Sequence, residues 1–514
     1  MRKAIVVFCL ALIGGSILIF TGCKVKITVP AGGKVISKSG AYECRSGQEC
    51  VVDIYDLFFD EEFFGEPAPG YSFIKWRKVN RGLCGNTETP CRIVSAWAEI
   101  HENFMAVLQS DEVFYLEPIF AEPNTWSQLG EDIEDEANGH KFGADISLSA
   151  GGKRLAVVVR DNESNYGHVR VYQWIRSAWS QMGGPIYWDS NHSLEHASVS
   201  LSANGTVLAI GDPYSGGESG QVRVYKWSLD TWHQLGENID DSRNGDHFGT
   251  SVSLSANGTR LAVGTRKNEY PLPANGYVRI YDYSEETDNW SQLGSQLVGE
   301  RNYDEFGYSV SMSANGELLA VGAPSNDGDS SGYDFGHARV YRWSGVDWQK
   351  LGEDIDGSEE HDQFGFSVAL SSDGRRLAIG APALQDWRDS LGTAEGYVRV
   401  FYWTGGVWRQ LGNDIVGEVG RDNVGFSVSL SSDGHRVAVG ARSQFSREGH
   451  VYAYRHLQSD NSWIQDSRGL NMKEMYKTSF NHVSISADGK RLAAGVSGGS
   501  WYARIFEMLL ETPK

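Results

Sequence analysis

A chain of 514 residues is long for one ordinary domain, and 40% hydrophobic with 22% charged residues excludes a disordered protein. Its 60 glycines and 16 tryptophans point to many short strands joined by tight turns, which argues against a mixed α/β enzyme. A formal net charge of −20 excludes nucleic acid as a partner and favours solubility, cations or basic partners, although a solvated acidic surface accounts for the same charge.

The chain opens with Met1-Arg2-Lys3, an apolar run from Ala4 to Phe20, and Thr21-Gly22-Cys23. A basic start, an apolar stretch and small residues in that order direct export. The segment resembles the lipobox of bacterial lipoproteins, which implies cleavage between Gly22 and Cys23 and a diacylglycerol on Cys23. One departure is Phe20, where that family usually has an aliphatic residue. Residues 1–22 are thus expected to be a lipoprotein signal peptide; an uncleaved anchor helix is the other reading, since a run of this length nearly spans a bilayer. Both place the rest of the chain outside the cytoplasm, with membrane contact through the anchor only. Lys24, in place of the aspartate tied to inner-membrane retention, points to an outer-membrane lipoprotein of the bacterial cell envelope.

Residues 23–122 form a first unit. Alternating stretches such as Val25-Lys26-Ile27-Thr28-Val29 and Phe104-Met105-Ala106-Val107-Leu108 predict strands with one buried face. With Cys9 in the signal and Cys23 lipidated, four cysteines remain, Cys44, Cys50, Cys84 and Cys91, an even set in an oxidising compartment. Three pairings are open, and the short spacings favour Cys44 with Cys50 and Cys84 with Cys91. Gly33-Lys34-Val35, the cysteines and Pro69-Gly70-Tyr71-Ser72-Phe73-Ile74-Lys75-Trp76 together resemble the divergent InlB-type bacterial repeat domain. That resemblance covers most of the unit and implies a small β-rich module of a surface protein, a spacer or adhesion element without catalytic residues.

From residue 123 onward the chain repeats. One phrase joins Phe-Gly, a strand, a Ser-x-Asn/Asp-Gly turn and a second apolar strand, as in Phe248-Gly249 through Val263-Gly264. Its turn glycines, Gly152, Gly205, Gly258, Gly316, Gly374, Gly434 and Gly489, lie 53 to 60 residues apart, enough for four short strands with loops. The central Asn/Asp-Gly predicts type I′ hairpins. Two further phrases, Gly-x-Val-Arg-Val-Tyr/Phe-x-Trp (Gly220 to Trp227) and Trp-x-Gln-Leu-Gly (Trp232 to Gly236), alternate with period two and supply the third and fourth strands. The last phrase occurs once too early, at Trp126-Ser127-Gln128-Leu129-Gly130, and is missing after Ala503-Arg504-Ile505-Phe506. The count closes if residues 124–131 complete the final sheet, which removes two exposed edges. The expected fold is all-β: a seven-bladed β-propeller over residues 123–514, preceded by the small disulfide-braced β domain. These phrases resemble the FG-GAP-like propeller family. Integrin-type members carry an acidic calcium loop between the first two strands, whereas here that place holds a tight turn.

Strand order puts the long, variable, acidic loops on one end of such a body, and loops on a rigid scaffold carry recognition. Tyr214, Tyr270, Asp329, Asp386 and Trp387 are the candidate ligand contacts. Asp327, Asp329 and Ser331 look like half of a calcium loop, but its twelfth position is Ala338 where a bidentate Glu is needed, so no cofactor beyond a calcium ion is suggested. Two Gly-x-Ser-x-Gly strings, from Gly328 and from Gly495, open no helical pattern and so lack the context of a nucleophile elbow. The function expected is that of a monomeric binding or scaffold protein with a protein or glycan partner, and not of an enzyme. The alternative is a lyase or glycoside hydrolase with a site at a central channel. It would need convergent carboxylates, Tyr or His, while the matching positions Asp145, Ser198 and Ser251 are small or polar.

Overall fold

The computed structural model describes residues 23–510 except 55–58, 69–70, 77–80, 82, 85–89, 95–112, 122–123, 135–140, 161–166, 188–196, 242–244, 267–274, 328–333, 384–395, 418–422, 443–448, 467–469, 471–477 and 499–500. The signal segment and the strand expected at 104–108 lie outside the described residues. Among the described residues the elements are strands, save one helical turn at Ser215–Glu218. No helix among them is long and apolar enough to cross a membrane. The chain divides into two compact units between Pro123 and Asn124.

In the first unit, β1 (Cys23–Thr28), β2 (Gly33–Ser37), β3 (Glu43–Arg45), β4 (Glu49–Ile54), β5 (Asp60–Pro67), β6 (Ser72–Trp76), β7 (Cys91–Val94), β8 (Val113–Leu116) and β9 (Pro118–Ala121) make three small sheets, ordered β4-β1-β8, β3-β2-β5-β7 and β6-β9. Val25, Ile27 and Val29 are buried while Lys24, Lys26 and Thr28 are not, the period-two signature of a strand with one face on a core. That core gathers Val35, Val52, Phe63, Trp76, Leu116 and Phe120. Disulfides join Cys44 to Cys50 and Cys84 to Cys91. Each closes a loop only 6 or 7 residues long, so each is worth about 2 kcal/mol through the unfolded state. The double variant Cys44→Ser/Cys50→Ser is predicted to lower the stability of this unit by about 2 kcal/mol in urea unfolding, with the transition of the second unit unmoved.

The second unit opens with β10 (Asn124–Gln128) and β11 (Ile133–Glu134), neither of which joins the sheet that follows. That sheet is an antiparallel meander of β12 (Lys141–Leu148), β13 (Arg154–Arg160), β14 (Gly167–Ile175) and β15 (Ala178–Gln181), with β16 (Ile186–Tyr187) also on β14. Five more sheets of the same order begin at Ser198–Leu201, Ser251–Leu254, Ser309–Met312, Ser367–Leu370 and Val424–Leu430. Their second strands are apolar without alternation because both faces are covered: Val207–Asp212 is buried at every position. The seventh sheet has only three local strands, Thr478–Ile485, Arg491–Gly498 and Tyr502–Leu510, and takes β10 as its fourth. Asn124 lies opposite Leu510 and Gln128 opposite Phe506, while Ile133 of β11 lies opposite Ala503. Arg504 grips Asp132 with two parallel hydrogen bonds of 2.7 and 2.6 Å, a charge-assisted fork that fixes this register.

The first strand of each sheet packs on the first strand of the next, and that of the seventh packs on β12. The hairpin turns explain the contact residue by residue. In Ser202-Ala203-Asn204-Gly205, the Gly205 amide donates to the Ser202 carbonyl, the Ser202 hydroxyl accepts from the Val207 amide, and the Asn204 side chain accepts from the Thr206 amide. Gly205 has φ +68 and Asn204 is not among the positive-φ residues. The turn is therefore not the expected type I′, which needs two positive φ values; it is a type I turn followed by a left-handed glycine. Its second residue keeps a free amide and spends it on the neighbouring turn. Ala150 donates to Ala203, Ala203 to Ala256, Ala256 to Ala314, Ala314 to Ser372, Ser372 to Ser432, Ser432 to Ala487, and Ala487 to Ala150, all at 2.8–3.0 Å. Serine hydroxyls add a second layer: Ser147, Ser200, Ser253, Ser311, Ser429 and Ser484 each accept from a backbone amide in the next sheet.

A third layer links the tryptophans. The indoles of Trp179, Trp232, Trp290, Trp348, Trp408 and Trp463 donate to the carbonyls of Leu129, Met182, Leu235, Leu293, Leu351 and Leu411 in the preceding repeat. Trp126 is the exception, with its indole nitrogen buried and without a hydrogen-bond partner among the described residues. At the matching position the preceding sheet carries Asp466, whose carboxylate is engaged by Arg436 and Arg455. The glycine at or next to the end of the second strand is also explained. A Cβ at Gly264, Gly322 or Gly380 would run into the carbonyl oxygen of Gly307, Gly365 or Gly425 at the head of the next sheet. Gly322→Ala is predicted to cost about 3 kcal/mol, the upper end for forcing atoms into a packed site, read as a lower urea midpoint of the second unit.

Candidate functional site

The residue after Phe-Gly, or after Val424-Gly425 in the sixth copy, occupies a special place. In the sixth sheet the ladder shifts register between Val424 and Ser427, a bulge that re-aims Phe426; Tyr308 and Phe366 immediately precede their strands. In the third, fourth and fifth sheets the backbone ahead of this position is set by a buried aspartate, Asp246, Asp304 or Asp362, followed by a left-handed residue that is not glycine, His247 (φ 51), Glu305 (φ 54) or Gln363 (φ 54); ahead of Phe426 the left-handed residue is Asn423 (φ 46). Such a conformation costs of the order of 1–3 kcal/mol and persists only where surroundings hold it. Asp304 accepts from the Arg301 amide, and Asp362 from two amides and the Tyr397 hydroxyl, so the loop is held.

This geometry lines up three half-buried rings from consecutive sheets. Tyr308 and Phe366 have centroids 4.7 Å apart, and Phe366 and Phe426 lie 5.0 Å apart; adjacent rings tilt by 47° and 45°, so they do not cover one another face to face. Arginines stand at both ends of the strip, Arg266 over Tyr308 at 5.2 Å and Arg442 over Phe426 at 5.4 Å. Arg266 is neutralised by Glu305 at 3.1 Å, and the other Glu305 oxygen accepts from Ser325. Burial works against the charge of Arg266, and Glu305, with Tyr308 and Tyr214, more than offsets it. Burial also pushes the Tyr308 phenol up to about 12, with Arg266 opposing. His482 meets Phe426 edge-on and pairs with Asp145 at 3.0 Å.

Of the contacts expected from sequence, Tyr214 is beside this strip: it packs edge-on against His247 at 4.9 Å, and its phenol acts electrostatically on both Arg266 and Tyr308. Tyr270, Asp329, Asp386, Trp387 and Ser331 lie outside the described residues. Asp327 accepts from the Asp334 amide at 3.2 Å, an ordinary loop brace. Read along the chain, the sequence does not set these rings apart; aligning the position two before the Val or Ile of the first strand across copies, which follows Phe-Gly in most of them, brings out Tyr308, Phe366 and Phe426 against Ala144, Ala197 and Thr250.

A second cluster, Glu300, His337 and Asp354, brings three potential metal-ligand atoms within 4.8 Å of one another. It fits a divalent ion poorly, because a cation already stands there. Arg339 binds Asp354 through two hydrogen bonds of 2.8 Å and also pairs with Glu300, while Lys350 reaches Asp354 at 2.6 Å. Burial would raise the Asp354 carboxyl, but Arg339 and Lys350 hold it down at about 2. Burial, with Arg339 adding to it, pushes the His337 imidazole down to about 4. Its folded value lies below the ordinary 6.5, so the stability of the neutral ring is complete above about pH 6.5 and is lost as pH falls toward 4. His337→Gln is predicted to lose on the order of 3 kcal/mol less than the parent between pH 7 and pH 4, as read by urea unfolding at both values. No protein-family model and no curated protein matches the chain.

Proposed function

We propose that the second unit is a seven-bladed β-propeller of the FG-GAP-like kind, carried by an exported, lipid-anchored envelope protein, and that it binds a glycan at its loop-bearing end. The closed circuit of turn-to-turn hydrogen bonds supports the propeller, since an open array would leave its first and last members unpaired. The lipid on Cys23 and the outer-membrane address rest on the opening segment alone. One observation carries the binding reading: the strip of Tyr308, Phe366 and Phe426, three half-buried rings set side by side on consecutive sheets. Aromatic faces bury the apolar faces of sugar rings at little entropic cost, and the spacing between rings is comparable to that between neighbouring pyranoses in a chain.

A glycan is favoured over a protein partner because the strip is narrow and set among polar side chains, whereas protein interfaces centre on larger apolar anchors. The full chain, screened on a glycan array, is expected to retain a defined set of saccharides and to lose them on Phe366→Ala with circular dichroism unchanged. Retention that survives Phe366→Ala, or no retained glycan at all, overturns the assignment.

A further inference from the structure

We infer that the glycan taken by the Tyr308–Phe366–Phe426 strip is acidic, a hexuronate-bearing saccharide whose sugar face lies on Phe366 and whose carboxylate is received by Arg442; this rests on the glycan reading above. The strip is not symmetric in charge. Arg266 at one end is consumed by Glu305. Arg442 at the other end is exposed, lies over Phe426, and has no carboxylate partner among the described residues. Its guanidinium offers a planar pair of N–H donors, the geometry that matches a carboxylate in two parallel hydrogen bonds.

Phe366 is the half-buried middle ring of the strip. Both of its neighbours carry an arginine over the ring, while none lies over Phe366 among the described residues, so its face is the one left for a ligand. The same position in the first three sheets holds Ala144, Ala197 and Thr250, side chains too short to add rings of their own. Net charge sharpens the argument. A chain of −20 repels anions at a distance, so an unpaired arginine beside an aromatic strip is selective for a short, singly docked acid over an extended polyanion. The carboxylate enters as the anion and leaves unchanged; no bond is made or broken.

The test titrates the full chain with a trigalacturonate and with its fully methyl-esterified counterpart, which keeps the rings and removes the charges. Calorimetry is expected to give about tenfold or more tighter binding of the acid, the difference that a charge-assisted hydrogen bond supplies. Arg442→Gln should bring the acid down to the level of the ester, and Arg442→Lys should restore part of the difference. Phe366→Ala should weaken acid and ester alike. Equal affinity for acid and ester, still lost on Phe366→Ala, overturns the acidic ligand and leaves the glycan reading standing. Acid binding that persists in Arg442→Gln and tracks inorganic phosphate overturns it as well. Binding of neither oligomer, together with an empty glycan array, sinks the glycan reading itself.

Discussion

The second unit depends on the pairing of β10 with Tyr502–Leu510. Every other sheet draws its four strands from one continuous stretch of chain; the seventh borrows from the beginning. Without the borrowed strand, Tyr502–Leu510 would present a row of unsatisfied amides and carbonyls, and the half-buried Arg504 would lose the paired hydrogen bonds to Asp132. The layered hydrogen bonds between sheets, from turn amides, serine hydroxyls and indoles, are each worth only about 1 kcal/mol net. They act together because the packing of first strand on first strand positions all of them at once.

The same layers account for why the repeat reads as it does. Serine in the turn caps a backbone amide, alanine links to the next turn, asparagine makes a local side-chain turn and glycine accepts the left-handed conformation. The second serine of Ser-Val-Ser-Leu is an inter-sheet acceptor, and where the fifth sheet carries Ala369 that bond is absent from the chemistry of the side chain. The glycine closing Ala-Val-Gly clears a neighbouring carbonyl. Repetition in this chain is thus a record of contacts between copies.

Strand content, the two-unit division at residue 123 and the borrowed strand could be reasoned from period-two alternation and from a phrase that came once too early. The turn type could not, because Asn-Gly is compatible with two hairpins and the inter-sheet bond of the preceding alanine decides between them. Tyr214 could be named as a loop aromatic, but its role beside Arg266 and Tyr308 depends on neighbours 52 and more residues away. Phe366 and Phe426 looked like any strand aromatic until the bulge and the left-handed residue before them turned their rings toward one another. The Arg339 network was hidden for a similar reason: the Val-Arg-Val phrase gives the arginine, and the loops that bring Glu300 and Asp354 to it are variable.

Among the described residues Trp126 is the one indole of its series without a hydrogen-bond acceptor, and it sits where the two ends of the unit meet. Six sheets can zip locally as the polypeptide emerges, yet the final join waits for a segment 372 residues downstream, a loop closure that is slow on entropic grounds. A missing rung at that join makes it both the last place to anneal and the first to fray. An incompletely synthesised or clipped chain would therefore stay unzipped at a single defined edge, offering folding helpers and proteases one common handle.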